Sequence, residues 1–129
     1  MAHLKKRNYR LININKVLLV IVVSLALSGC VSTSVIPTST TPLQPLAATQ
    51  DVSVYMSDRD VKVPFTVVGA IHHYDIGKYQ RLDLNDVLPI LKDKARSLGA
   101  NGVIIDKQEA VVSGIFSRGI DVSARAIKF

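Results

Sequence analysis

One segment of this chain has a periodicity that only a helix can use. Leu84, Leu88, Leu91, Ala95 and Leu98 recur at spacings of four, three, four and three, while Lys92, Asp93, Lys94, Arg96 and Ser97 fall between them. Wound at 3.6 residues per turn, that order gathers the apolar side chains on one face and the charges on the other. The segments around it, from about residue 51 to the C-terminus, are rich in β-branched residues instead. A single amphipathic helix must cover its apolar stripe, and here the partner has to be a sheet.

The ends of that helix have their own signals. Asn85 is expected as N-cap, with Asp86 in the first turn where the helix dipole favours an acid. Pro89 fits early in a helix and poorly in its middle, which argues for a late start. Gly99 is expected to end it as a left-handed residue after the last turn. Before the helix, residues 51–56 alternate as a short strand, 57–60 (SDRD) read as a turn, and 63–65 re-enter. Residues 66–74 (TVVGAIHHY) form a second strand, and 75–83 a polar loop. After the helix, residues 103–105 open a third strand, with Val112 as its furthest extent, followed by a loop over 113–119 and a last strand over 120–129. The expected fold is a small α+β domain of order β-β-α-β-β, one helix on a mostly antiparallel sheet.

The first 50 residues differ in kind. Residues 1–29 hold five cations (Lys5, Lys6, Arg7, Arg10, Lys16) and no acid; residues 30–129 hold the other eleven cations against ten acids. The basic excess therefore belongs to the leader, and nucleic acid is not expected as a partner of the nearly neutral remainder. An apolar run over residues 17–27, broken by Ser24, follows the basic stretch. As a helix it spans about 17 Å, short of the ~30 Å of a bilayer's hydrocarbon, which suits a signal peptide better than a membrane span. Residues 31–50 (VSTSVIPTSTTPLQPLAATQ) are uncharged and rich in Ser, Thr and Pro. They are expected to form a disordered tether with a reach of about 25 Å. The alternative is an arm packed on the domain through Val35, Ile36, Leu43 and Leu46.

Cys30 is the only cysteine, so no intramolecular disulfide is available. Leu27-Ser28-Gly29-Cys30 resembles the lipobox of bacterial lipoproteins, Leu-(Ala/Ser)-(Gly/Ala)-Cys, at all four positions. The resemblance implies cleavage before Cys30, a diacylglyceryl thioether on its sulfur and a further acyl chain on its amine. Two or three chains, at about 0.8 kcal/mol per buried CH₂, anchor a protein stably in a bilayer. In diderm bacteria a residue other than Asp after the cysteine, here Val31, implies delivery to the outer membrane, facing the periplasm. The domain plan is thus a signal peptide (1–29), a lipidated cysteine with its tether (30–50) and a folded unit (51–129).

No catalytic constellation stands out. Adjacent residues on a strand face opposite sides, so His72 and His73 cannot chelate one ion together, and no spacing of acids completes a metal site. There is no Gly-x-Ser-x-Gly elbow and no phosphate-binding glycine loop; Gly99-Ala100-Asn101-Gly102 follows a helix instead of opening one. Asp83 and Asp86 read as capping residues, not as a carboxylate pair. Neither enzymatic activity nor a cofactor is expected, apart from the lipid on Cys30. Two loops have the composition of contact surfaces. One holds Ile115, Phe116 and Arg118 between Gly114 and Gly119; the other holds Lys78, Tyr79 and Arg81. Apolar and aromatic side chains beside arginine are common interface anchors. Alternatively, Ile115 and Phe116 fold back to cap the core.

A second resemblance covers about 75 residues of the folded part. Val54-Tyr55, Pro64-Phe65, Gly69, Ala95, and Ala100-Asn101-Gly102-Val103 share a frame with the outer-membrane sensor lipoproteins of the Rcs envelope-stress phosphorelay. The helix-to-strand phrase is also similar to that of the YbjQ-like small domains, which assemble into rings. The first implies an accessory domain that binds envelope proteins or signals stress; the second implies a homo-oligomer. A ligand- or metal-binding module using His72 or His73 is a third possibility. Residues 31–129 lack the cysteines that form disulfides in the Rcs sensors, so no function depending on those bridges transfers.

Overall fold

The computed structural model of the protein describes residues 31–78, 80–112, 114–115 and 117–129. Within them, strand β1 (Val31–Pro37) is followed by β2 (Ser53–Tyr55), a 3₁₀ turn at Asp58–Asp60, and β3 (Thr66–Asp75). Helix α1 (Leu84–Ser97) then leads into the long hairpin of β4 (Gly102–Val112) and β5 (Arg118–Lys128). The strands form one sheet in the order β1-β3-β5-β4-β2, antiparallel at every contact except β2 with β4. This is the expected α+β class, with a helix on a mostly antiparallel sheet and one strand more than the sequence suggested.

The helix buries Val87, Leu91 and Ala95. Leu84, Leu88 and Leu98, also on the predicted stripe, are only partly covered at its margin. Against them the sheet presents Val68, Ile71, Val103, Ile105, Val122, Ala124 and Ala126. Small residues on β5 let the helix approach closely. The opposite face carries a smaller cluster of Val61, Ile104 and Ile127, packed with Tyr55, Phe65 and Val67. The segment after β2 therefore crosses that face at one end and leaves the rest of it open.

Three local expectations are corrected. The N-cap is Asp83, not Asn85: its carboxylate accepts from the Asn85 and Asp86 amides, and the Asp86 carboxylate accepts from the Asp83 amide, a full capping box. The helix does not start late, and Pro89 lies within it. Pro89 is on the exposed side, where water can satisfy the Asn85 carbonyl that lacks an amide partner. Gly99 ends the helix as expected, at φ 74°, with its amide bonded to the Arg96 carbonyl and that of Ala100 to Ala95.

The third correction is larger. Residues 31–50 are not a free tether. The whole of Val31–Pro37 pairs with β3, from Val31 opposite Asp75 to Pro37 opposite Gly69. The arm then continues to the helix end, where Leu46 N–H donates to the Arg96 carbonyl and Arg96 Nε donates to the Gln50 carbonyl. Leu43 packs against Gly99 so closely that a Cβ there would sit 2.6 Å from it. β3 would otherwise expose a ten-residue edge of unpaired amides and carbonyls, and the β-branched positions Val31, Thr33 and Val35 suit pairing with it. The absence of charge that looked like disorder is equally compatible with an edge strand.

Candidate functional site

The two loops singled out in the sequence lie far apart in the chain but form one surface. Gly77, at φ 62°, turns the first loop, with the Asp75 carboxylate accepting its amide at 2.8 Å and its carbonyl accepting from Gln80 at 2.8 Å. The second loop closes on it: Arg118 N–H donates to the Gln80 carbonyl at 3.0 Å, and Leu82 N–H to the Arg118 carbonyl at 2.9 Å. Arg81 and Arg118 are paired as a parallel bridge. Two glycines make the contact possible. A Cβ on Gly77 would overlap the Arg118 carbonyl, and one on Gly119 would overlap the backbone of Asp75 and Ile76.

The adjoining arginines border two shallow depressions, of about 300 and 290 Å³, that meet at them. The first runs over Asp83, Gln108 and Glu109, the second over Val112, Ile115 and Ser117. Ile115 is 91% exposed and Val112 78% exposed, so Ile115 does not fold back onto the core. The nearby acids are already engaged. Asp83 caps the helix, Glu109 Oε2 lies 2.9 Å from Lys107 Nζ, and Asp75 holds the Gly77 amide. That pairing holds the Lys107 ammonium pKa above its ordinary value. Among the described residues Arg81 and Arg118 have no acid at ion-pair distance. The structure therefore joins Lys78, Arg81, Ile115 and Arg118 at one end of the sheet. Tyr79 and Phe116 lie outside the described residues, as do the lipobox positions Leu27, Ser28, Gly29 and Cys30.

The two histidines separate as expected. His73 faces the helix side, 1% exposed, with Nδ1 2.7 Å from Thr33 Oγ1. Burial pushes its pKa down, against a smaller upward pull from Asp75. His72 lies on the open face, its Nε2 2.7 Å from Asp121 Oδ1. No group of three potential metal ligands occurs among the described residues.

The open face also holds a device that was missed in the sequence. Arg125 binds Asp106 with Nε and Nη2 at 2.7 to 3.0 Å, and reaches Asp58 with Nη2 at 2.5 Å. These bonds raise its pKa and strap the 3₁₀ turn to the sheet. Asp106 occupies the irregularity between Ile105 and Lys107, where the β4–β5 register shifts. No local pattern could link Arg125 to acids 19 and 67 positions away.

Comparison with known proteins adds little. No family model and no curated protein matches the chain. Among solved structures, a Francisella virulence factor, FvfA, is similar at 15% identity and a TM-score of 0.43, over 74% of this chain and 97% of that one. At that distance the likeness carries no argument about what this chain does.

Proposed function

We propose that this protein is a non-enzymatic, lipid-anchored lipoprotein of a bacterial envelope, whose small α+β domain serves as a contact module. The lipobox Leu27-Ser28-Gly29-Cys30, behind a basic and then apolar leader, carries the reading. The anchor is the diacylglycerol and N-acyl lipid on Cys30, and the address is the outer membrane, facing the periplasm. The contact surface is the end of the sheet where Arg81 and Arg118 adjoin exposed Ile115. A role in envelope stress sensing, through a protein partner in that envelope, agrees with the resemblance to the Rcs sensors.

Replacing the attachment residue tests the anchor. Cys30→Ser, expressed in a bacterial host that processes lipoproteins, is expected to accumulate as unprocessed precursor and to lose its acyl mass. Membrane sedimentation in the mature form, with no precursor, would refute the anchor.

A second reading, self-assembly, is favoured by one observation. β1 is an edge strand whose outer side has no partner within the described sheet, and Val31 and Ile36 on it are 55% and 63% exposed.

A further inference from the structure

The pairing of β1 fixes the end of the sheet at which the described chain begins. Val31 lies opposite Asp75, Asp75 opposite Ile120, and Ile120 opposite Ala110, a single row across four strands. β4 and β5 run on beyond that row to Val112 and Arg118, about 7 Å further at 3.4 Å per residue. Strands sit about 4.8 Å apart, so β5 lies roughly 10 Å from Val31 across the sheet. Residue 30 is one peptide unit away, at most about 3.8 Å between Cα atoms. Val31 is therefore at the same end of the molecule as the Arg81–Arg118 surface, and an acyl anchor on the residue before it would tie that end to the bilayer.

The chemistry of that end matches what it must face. Val112 and Ile115 project from the hairpin, past the row that carries Val31. Behind them Arg81 and Arg118 have no acid partner among the described residues, while Asp75, Asp83, Glu109 and Asp121 are each bound within the domain. Planar guanidinium groups suit phosphate oxygens, and aliphatic side chains ahead of them suit the boundary between headgroups and acyl chains.

We propose that this end of the domain lies directly on an anionic bilayer, with Val112 and Ile115 entering the interface and Arg81 and Arg118 on lipid phosphates. This rests on the reading of Cys30 as the acylated residue, and it names the occupant of the contact surface. The protein is then held twice, by its acyl chains and by its hairpin. An anchor one residue from β1 would keep this end close to the bilayer, so the protein partner proposed above would meet another face of the domain.

The chain has no tryptophan, so Ile115→Trp supplies a single reporter. Val63→Trp is the reference: Val63 is 49% exposed and precedes Thr66, which pairs with Lys128 at the opposite end of the sheet. Each full-length variant is produced with its leader, purified in acylated form and reconstituted into phosphatidylethanolamine vesicles with or without phosphatidylglycerol. With phosphatidylglycerol present, the Ile115→Trp indole is expected to emit at shorter wavelength and to be quenched by brominated acyl chains. The Val63→Trp indole is expected to do neither. Adding Arg81→Gln or Arg118→Gln should lower the ratio of quenched to unquenched indole by about five-fold each at low salt. Should Ile115→Trp disturb folding, a nitroxide on Val112→Cys reads the same depth by its accessibility to oxygen.

A water-like, unquenched indole at position 115 on vesicles that retain the acylated protein overturns the inference and leaves the lipoprotein reading standing. Absence of acyl mass on Cys30 overturns both. A photoreactive group at position 115 that yields a protein adduct in cells, with no lipid adduct, overturns the inference in favour of a protein partner.

Discussion

At the residue scale, His73 is the polar side chain most at odds with its surroundings. It is buried against the helix side of the sheet, and Thr33 Oγ1 is the bonded partner of its Nδ1. Burial makes protonation costly, so its folded pKa lies below the ordinary value of 6.5. Above about pH 6.5 the ring is neutral in both folded and unfolded chains, and its contribution to stability is constant. Below that, the unfolded chain takes up a proton that the folded chain refuses. Stability then falls by up to about 1.4 kcal/mol per pH unit until the lowered folded pKa is reached. Urea unfolding at about pH 7.5 and pH 5.5 checks this: the native chain should lose more stability on acidification than His73→Gln. Equal losses would show that His73 is not the group responsible.

The same scale shows where reading residues in order succeeds and where it stops. The opposite facing of His72 and His73 follows from strand geometry alone, because successive side chains alternate. Which of them is buried does not follow, since that depends on which face the helix covers. The capping box is local, and Asp83 and Asp86 were recognisable as capping residues. Asn85 is not the N-cap because the late start, which would put Pro89 early in the helix, is not needed to avoid an internal proline. The exposed position of Pro89 removes most of its cost there.

At the element scale, β1 is the main departure. Its sequence, VSTSVIP, carries too few large apolar residues to look like a strand on its own, and uncharged Ser/Thr segments are equally at home in linkers. What makes it a strand is the free edge of β3, which supplies half of every hydrogen bond. Val35, opposite Ile71, lies on the helix side of that pairing. Val35→Asp is expected to cost about 2 kcal/mol by placing a carboxylate where an aliphatic group is half-covered. It should also speed hydrogen exchange of the β3 amides. A free tether would leave both the denaturation midpoint and the exchange rates unchanged. By contrast, α1 was legible to within a few residues because it repeats the helical period, and β3, β4 and β5 because each opens or runs on β-branched and apolar residues.

At the scale of the whole molecule, the contact surface exists only because of topology. The β3–α1 loop and the β4–β5 hairpin are brought together by β5 lying between β3 and β4. Gly77 and Gly119 then allow the backbones to touch. The unpaired outer side of β1 makes oligomeric state a property to be measured on residues 31–129, since a fragment beginning at 51 would lack the edge strand. The proposed lipid attachment at Cys30 would disfavour edge-to-edge pairing at β1, and light scattering on the unacylated 31–129 chain is expected to give a monomer mass. A discrete oligomer would instead support the self-assembling reading.

The sequence by itself determined the helix, the three long strands and the α+β class, because each depends on residues within a few positions of one another. Tertiary structure alone decided that the supposed tether is an edge strand, that Arg125 straps Asp58 to the sheet, and that Arg81, Arg118 and Ile115 share an end with Val31. Those outcomes depend on which strand lies beside which. Strand order is set by burying both partners' surfaces at once, and no single stretch of chain contains that information.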